Sequence, residues 1–421
     1  MAALIGMPDP RNRPESAGVG RTGFPSAAKW LHGIAGMWTS RGTSSAFILR
    51  AMKPFNVLLS MVYLFGTAAA FGAVPAHMAP SPGATMRKVV LEKAATGYRW
   101  KVVQAPIPVL GESEVLVRVH AVSLNRGDLV RLEHDSDDDR VGKVPVTDAA
   151  GEVVAVGSRV KGVHKGERVT NTYFKNWVDG PFSHERLDHV PGWTADGVLA
   201  DYIVLASTDA IPIPDGLTYE EASTLPTAGL TAWNAVVGRH ELHAGDVVLV
   251  QGTGGVSTFA LQFAVAAGAR VIVTSSSDDK LARARALGAR DGINYKAQPE
   301  WAKSVLQLTQ GHGADLVVDV GGKATLAQSV ESLADGGTLS VVGGLTGYDG
   351  DISAWGLLKK AATAQTIFVG SRADYLRMLA FMTSHRLHPL IERVFPVNDY
   401  EQALKLMATG QFTGKIVLDL N

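Results

Sequence analysis

Residues Val247 to Thr274 read VVLVQGTGGVSTFALQFAVAAGARVIVT, and this stretch decides the fold. Val247 to Val250 is a continuous apolar run, the pattern of a strand covered on both faces of a parallel sheet. It breaks into Gly252-Thr253-Gly254-Gly255-Val256-Ser257, and Phe259, Leu261, Phe263 and Val265 then continue in a helical segment. Gly268 closes that helix as a C-cap, and Arg270 to Thr274 begins a second strand. Strand, glycine turn, helix and strand form the setting in which G-x-G-x-x-G becomes a dinucleotide-binding signal. The first glycine makes the tight turn, the second lets the backbone approach a pyrophosphate, and the helix N-terminus offers free N–H groups to that dianion. Ser257 takes the third glycine position and is small enough for close helix–strand packing.

The chain of 421 residues has room for two domains and an additional segment. Lys plus Arg and Asp plus Glu are equal at 40 each, so no global basic field points to nucleic acid. A hydrophobic fraction of 46% with 45 glycines suits a globular α/β protein. Cysteine is absent, which removes disulfides, thiolate nucleophiles and every zinc site that uses sulfur.

Residues 1–85 differ from the rest. No acidic residue occurs from Ser16 to Leu91, Arg21, Lys29, Arg41, Arg50 and Lys53 are scattered through the first part, and Phe55 to Val74 is uncharged and mostly apolar. That run is at the lower edge of what spans a bilayer, and Pro75, Pro80, Pro82 and Gly83 follow as a linker. Translation from Met1 makes the run a signal anchor, and with it a membrane attachment. Translation from Met52 makes it a signal peptide with Val74-Pro75-Ala76 as cleavage site, and translation from Met86 makes the region a dispensable leader. An acid-poor leader containing arginine also permits a mitochondrial presequence. The absence of any Asn-x-Ser/Thr sequon weighs slightly against secretion.

From Met86 the chain turns β-rich. Lys88 to Leu91, Trp100 to Val103 and Glu114 to Val119 read as strands, and Val115, Val117 and Val119 alternate with Leu116, Arg118 and His120. Strands follow at Gly151 to Gly157, Gly166 to Val169 and Leu199 to Leu205, with a long polar and aromatic loop over Lys175 to Gly197. Asp135 to Asp139 holds four acids in five residues and reads as a solvated loop rather than a cation site. Glu220 to Val237 is helical. Beyond Thr274, helices at Lys280 to Leu287, Trp301 to Leu308 and Leu326 to Leu333 alternate with strands at Gly292 to Asn294, Leu316 to Val320 and Thr338 to Val342. This alternation means a doubly wound parallel sheet. The tail ends on a strand, Lys415 to Leu418. The expected division is a leader over 1–85, a mostly antiparallel β domain over 86–226 completed by 366–421, and a dinucleotide-binding domain over 227–365 inserted between them.

These residues resemble the medium-chain dehydrogenase/reductase superfamily, and within it the zinc-free, quinone-oxidoreductase-like (enoyl reductase-like) branch. The resemblance covers nearly everything from Met86 to Asn421. Its markers are Ser123-Leu124-Asn125 with Asp128, Asp148-Ala149-Ala150-Gly151, Gly166-Glu167-Arg168-Val169, Leu225-Pro226, Gly229-Leu230-Thr231-Ala232-Trp233, the glycine turn, and Gly370-Ser371-Arg372. It implies a GroES-like catalytic domain around a Rossmann domain, with cofactor and substrate meeting in the cleft between them. Members are commonly dimers or tetramers, so a homodimer is implied as well.

The zinc-dependent members of this family hold catalytic zinc with cysteine and histidine, and structural zinc with four cysteines. This chain has neither set. His184, Glu185 and His189 fit no standard ligand spacing on a helix. Without a Lewis acid the carbonyl of an alcohol–aldehyde pair is harder to polarise, whereas an enone or quinone delocalises the charge that hydride addition creates. Cofactor choice turns on the end of the second Rossmann strand, where NAD-specific proteins carry an acid roughly 20 residues after the glycines. Here that position is Ser275, followed by Ser276. An acid would repel a 2′-phosphate and a serine can donate to it, which favours NADP(H) over NAD(H). By resemblance Lys280 and Tyr295 match residues that hold the 2′-phosphate, although Asp278 and Asp279 are close and an ordinary solvated lysine is the alternative.

The same resemblance assigns Thr231, Gly343 and Gly344 to the nicotinamide and brings Ser371 and Arg372 into the cleft, with a surface salt bridge as the alternative for Arg372. Asn125 matches an asparagine near the nicotinamide, while Val130 replaces the tyrosine expected a few residues later. Tyr173 is the candidate for orienting substrate or donating a proton, or else a cleft-wall aromatic, and Trp177 and Trp193 are candidates for a substrate lid. The expected activity is zinc-independent hydride transfer from NADPH to a small enone, quinone or related carbonyl. The alternatives are a zinc-free NAD(P)-dependent alcohol dehydrogenase and, from another class, a protein that binds NADPH without turnover.

Overall fold

The computed structural model describes residues 80–81, 83–133 and 140–421. The apolar run 55–74 and the acidic stretch Asp135 to Asp139 lie outside the described residues, and no helix among those described is long and apolar enough to cross a membrane. Strands β1 (Thr85–Lys93) and β2 (Tyr98–Pro106) form an antiparallel hairpin. The next five are β3 (Glu114–Ser123), β4 (Asp148–Val156), β5 (Arg168–Asn171), β6 (Tyr202–Ala206) and β7 (Ala210–Pro212). They belong to one sheet in which β3 pairs with β4 and β6, β4 with β5, and β5 with β7, all antiparallel. The alternation in β3 places Val115, Val117 and Val119 in the core, and its other face is covered too: Leu116 and His120 are buried. Tyr219 of the helix Tyr219–Ser223 stacks on the His120 ring with centroids 4.3 Å apart.

Helical structure runs from Tyr219 to Gly238 as expected, but it contains wide turns at Leu225–Gly229 and Asn234–Gly238. Pro226 lies in the first of these. It has no N–H to donate and its ring crowds the preceding turn, and the Gly229 N–H reaches back five residues to the Thr224 carbonyl at 3.4 Å.

The second sheet comprises β8 (Val247–Gln251), β9 (Arg270–Ser275), β10 (Asp291–Asn294), β11 (Ala314–Asp319), β12 (Leu333–Val341) and β13 (Thr363–Thr366). All pairings are parallel and the order is β10-β9-β8-β11-β12-β13. The chain winds outward from β8 in both directions, which puts the carboxyl end of β8 at the point where the order reverses, the place where such sheets bind ligands. Every residue of β8 is buried. Val248, Val250, Val271 and Val273 pack with Phe259 and Phe263 on one face. Val247, Leu249, Ile272 and Ile293 pack with Trp301 and Val305 on the other. The two-faced burial is why these strands read as apolar runs without alternation.

Beyond β13 the helix Arg372–His385 leads to β14 (Ile391–Pro396), the helix Tyr400–Thr409 and β15 (Lys415–Asp419). β15 runs parallel to β14 and antiparallel to β3, so the tail re-enters the first sheet, whose order is β14-β15-β3-β4-β5-β7. The parallel sheet is therefore inserted into the antiparallel one. Strands β13 and β14 escape sequence reading for a physical reason: each is an edge strand with mostly exposed or half-exposed residues, so neither carries an apolar pattern.

Ile416, Val417 and Leu418 are fully buried in β15. Each such side chain stabilises the fold by about 1.5–3 kcal/mol, so together they approach the roughly 5–15 kcal/mol net stability of a whole domain. Deleting residues 411–421 is expected to abolish cooperative unfolding; a sharp thermal transition in the truncated chain, followed by circular dichroism, would contradict this architecture.

Candidate active site

The site begins where β8 ends. Gly252 turns the chain at φ +73°, a backbone region costly for a side chain, and its N–H donates to the Thr274 carbonyl at 2.8 Å, tying the turn to β9. Gly254 is the N-cap of the helix Gly255–Ala266 and supplies no side-chain cap. A Cβ built on Gly254 would meet nothing within 4 Å, so there is open space beside the backbone at the positive end of the helix. Ser257, in place of a third glycine, is buried and donates its hydroxyl to the Gln251 carbonyl at 2.7 Å, closing helix onto strand. Thr253 and Val256 complete the turn, and the Thr253 carbonyl accepts from the Gly414 N–H at 2.9 Å. An uncapped helix start with open space beside it fits a pyrophosphate.

Ser275 ends β9, is buried, and its carbonyl accepts from the Tyr295 N–H at 3.0 Å; Ser276 is half-buried and Tyr295 exposed. Lys280, two residues into the helix Asp278–Ala286, donates Nζ to the Gly410 carbonyl at 2.5 Å. Burial lowers its pKa, the cations Lys296 and Arg283 add to that, and Glu392 opposes it. Of the two cations acting on Lys280, Arg283 is paired with Glu392 at 2.5 Å, and the Asp278 carboxylate accepts from Asn294 Nδ2 at 3.0 Å.

Gly343 and Gly344 follow β12. A Cβ would lie 3.0 Å from the Val320 carbonyl oxygen at Gly343 and 2.5 Å from the Tyr348 ring at Gly344, so neither position admits a side chain without movement. Thr231 is buried on the short helix Leu230–Trp233. Ser371 caps the helix Arg372–His385. Its hydroxyl accepts from the Asp374 N–H at 3.1 Å and donates to the Asp374 carboxylate at 2.8 Å, in a reciprocal capping box. Arg372 forms no ion pair within 4.0 Å among the described residues, and its Nε is buried without a hydrogen-bond partner there. A buried guanidinium N–H without a partner fits an anionic group, and the Arg372 charge already acts on the Asp209 carboxylate, opposing the rise in pKa that burial causes there.

On the opposite wall, Asn125 follows β3. Its Nδ2 donates to Asp148 Oδ2 at 2.9 Å, its Oδ1 accepts from Lys415 Nζ at 2.6 Å, and its backbone N–H donates to Asp128 Oδ2 at 2.7 Å. Lys415 Nζ also donates to the Leu124 carbonyl at 2.8 Å. Thr227 donates to Asp148 through its hydroxyl at 2.5 Å and its N–H at 3.2 Å. Burial raises the pKa of Asp148 against the opposing pull of Lys415 and the hydrogen bonds. Burial likewise lifts Asp128 to about 7, with the Asp148 charge adding to it. Lys415 falls to about 8, lowered by burial and held up by the two aspartates. Tyr173 is buried beside the same carboxylates, and burial followed by those charges drives its phenol far above the ordinary range. It stays a neutral phenol at neutral pH.

Trp177 does not form a lid. It is buried in the core, donates Nε1 to the Gly180 carbonyl at 3.0 Å, and packs edge-on against Phe174 and Phe182 with centroids 5.4 and 5.7 Å away. The aromatic cluster with Phe368 draws this loop into the core, which loop-like composition conceals. Trp193 is half-buried, with its ring over Gly127 and 5.0 Å from the Arg131 guanidinium. His184, Glu185 and His189 lie on a short 3-10 helix with no buried residue, and no group of three His, Cys, Asp or Glu side chains among the described residues is placed to hold a metal. Two β-branched residues occupy the left-handed region at the edges of the site. Val146 (φ +69°) precedes Asp148 by two positions and Val369 (φ +50°) precedes Ser371 by two. Such strain of about 1–3 kcal/mol persists where surrounding structure holds it; the Val369 carbonyl accepts from Asn234 Nδ2 at 2.7 Å.

Sequence reading misses Lys415 and Thr227 as site residues. The available signal is slight: Lys415 is a charge at the start of an apolar strand, a position that ordinarily faces solvent.

Comparison with known proteins agrees with this geometry. A family described as "Alcohol dehydrogenase GroES-like domain" matches residues 111–215, and one described as "Zinc-binding dehydrogenase" matches residues 255–384. A zinc-type alcohol dehydrogenase-like protein of Schizosaccharomyces pombe is 40% identical over 324 residues, covering 74% of this chain and 92% of that protein. The crystal structure of a putative alcohol dehydrogenase from Sinorhizobium meliloti 1021 is 38% identical with a TM-score of 0.74, covering 80% of this chain and 99% of the other. An NAD-dependent alcohol dehydrogenase structure is 31% identical with a TM-score of 0.71, covering 80% of this chain and all of the other. With a GroES-like sheet around a Rossmann sheet, a glycine cradle and these relatives, the chain belongs to the medium-chain dehydrogenase/reductase superfamily and is an oxidoreductase of the alcohol dehydrogenase-like kind.

Proposed function

We propose that this chain transfers hydride from NADPH to a small enone, quinone or related carbonyl, and does so without zinc. The observation that carries the reading is the buried chain Thr227–Asp148–Asn125–Lys415, whose internal bonds fix the Asn125 amide and leave one of its N–H groups over as a donor. Oriented N–H donors stabilise a developing oxyanion, and an enone or quinone spreads that charge and needs no stronger electrophile. The complete lack of cysteine supports the zinc-free part. When bound, the nicotinamide supplies the hydride.

The roles of the residues follow from their places. Gly252, Thr253, Gly254, Gly255 and Val256 take the pyrophosphate, and Arg372 offers its unpaired Nε to a phosphate oxygen. Ser275, Ser276, Lys280 and Tyr295 hold the 2′-phosphate, while Thr231, Gly343 and Gly344 line the nicotinamide. Asn125 and Tyr173 orient the acceptor. The names of the relatives favour a second reading, a zinc-free NAD(P)-dependent alcohol dehydrogenase using the same residues on an alcohol. A homodimer belongs to the proposal as well. Strand β13 leaves an exposed edge on the parallel sheet, and Trp355 and Leu358 on the preceding helix are 64% and 65% exposed.

The full chain, given NADPH and a panel of enones, quinones, aldehydes and alcohols, is expected to oxidise NADPH with enones or quinones. Oxidation of alcohols with NADP or NAD as the better reaction supports the second reading, and NADPH binding without turnover across the panel overturns both. Ser275→Asp is expected to weaken NADPH binding at least tenfold, since a like charge against the 2′-phosphate costs several kcal/mol, and to leave NADH binding nearly unchanged. Fluorescence titration with each cofactor checks it. Equal weakening of both would refute the assignment of Ser275 to the 2′-phosphate.

A further inference from the structure

Lys415 is buried, yet it belongs to the last strand of the chain and its partners lie near the beginning of the catalytic sheet. Its stem rests on the glycine turn: a Cβ built on Gly255 would lie 2.5 Å from Lys415 Cδ. The backbone before it is pinned to the same turn by the bond from Gly414 N–H to the Thr253 carbonyl at 2.9 Å. Its ammonium reaches across to Leu124 and Asn125, at 2.8 and 2.6 Å. An ammonium can only donate, so the Asn125 amide must present Oδ1 to it, and this turns Nδ2 toward Asp148 at 2.9 Å. One hydrogen of that Nδ2 is engaged with Asp148 and the other is left over.

We propose that Lys415 is a positioning residue for hydride transfer: it fixes the orientation of the Asn125 amide, from a stem seated on the cofactor's glycine turn. The inference rests on the hydride-transfer reading above. As hydride adds to the acceptor carbon, the displaced electron pair moves onto the carbonyl oxygen, and the remaining Asn125 N–H is held ready for that oxygen. Lys415 moves no proton in this role; it acts by its charge and its direction. The charges facing it are Asp148 from β4 and Asp128 from the helix Arg126–Glu133, and Arg131 and Tyr173 flank those carboxylates. The protonated amine can only donate and so holds Oδ1 in place, whereas the neutral amine also carries a lone pair to which Nδ2 can donate, and the choice of orientation is lost. With Lys415 at about 8, activity falls as pH rises through that value, while Asp128, at about 7, titrates on the acid side of it. Asp148 favours the charged amine, so its removal moves the loss to lower pH.

The test uses Lys415→Met, Lys415→Arg and Asp148→Asn in the full chain. Lys415→Met is expected to lower kcat for an enone about 100-fold, to leave the NADPH dissociation constant within about threefold, and to lose the alkaline limb of the pH profile. Lys415→Arg keeps the charge and is expected to retain more activity, with the limb displaced upward; it carries the test if the methionine variant fails to fold. A second readout does not need turnover: the 13Cε resonance of Lys415, identified by its absence in Lys415→Arg, is expected to titrate near pH 8 and to shift downward in Asp148→Asn. Absence of turnover in the unmodified chain would sink the hydride-transfer reading, while the titration would still decide whether Lys415 is coupled to Asp148. A Lys415 resonance unmoved by Asp148→Asn, which places the ammonium away from the Asn125–Asp148 pair, overturns the proposal. So does an unaltered kcat in Lys415→Met, or an unaltered pH profile in Lys415→Arg.

Discussion

The tail's return to the glycine turn is the contact on which the rest depends. Gly414 sits at φ +83° with no room for a side chain: a Cβ built there would lie 2.2 Å from the Leu390 carbonyl oxygen. It donates to Thr253, and the next residue donates its backbone N–H to Leu390 at 2.9 Å. One dipeptide thus joins the parallel sheet's glycine turn to the interior of the antiparallel sheet. β15 lies between β14 and β3, so the last strand of the chain is an internal strand of the first sheet. The two halves of the site cannot be set independently, because the segment that completes one wall is anchored on the other.

The electrostatics follow from this arrangement. Lys415, Asp148 and Asp128 are all buried, and each alone would be costly to keep charged. Their burial is tolerable because each finds partners: Asp148 has Asn125 and Thr227, Asp128 has the Asn125 N–H, and Lys415 has Leu124 and Asn125. The pKa shifts of the three move toward one another, with the acids raised and the amine lowered, as expected where desolvation outweighs pairing. A buried polar network of this kind specifies geometry more than it adds stability. Asp319, at the end of β11, differs. It accepts from Gln251, Ser329, Thr325 and the backbone of Gly321 and Gly322, and it serves to shape the turn beside Gly343.

Much of the fold was legible in order. Val247–Gln251, the glycine turn and Gly268 announce one βα unit, and the strands and helices after Thr274 continue it. Legibility failed at edges and at side-chain destinations. β13 and β14 carry no apolar pattern because one side of each has no neighbour. Trp177 reads as a loop aromatic and is a core residue, and Lys415 reads as a solvent-facing charge and is buried. Local composition cannot distinguish these outcomes, since each depends on what the rest of the chain brings near.

By itself the sequence determined the class of fold, the glycine turn at its centre and the exclusion of cysteine-based chemistry. Those depend on local backbone conformation, apolar periodicity and composition, all of which act over a few residues. Only the tertiary structure decided that Lys415 meets Asn125 across 290 residues of chain, that Thr227 and Asp148 face each other, and that Arg372 keeps a buried N–H unpaired. Each of these is a long-range encounter between polar groups. A polar residue announces that it needs a partner and not which partner it has, until the sheets have closed around it.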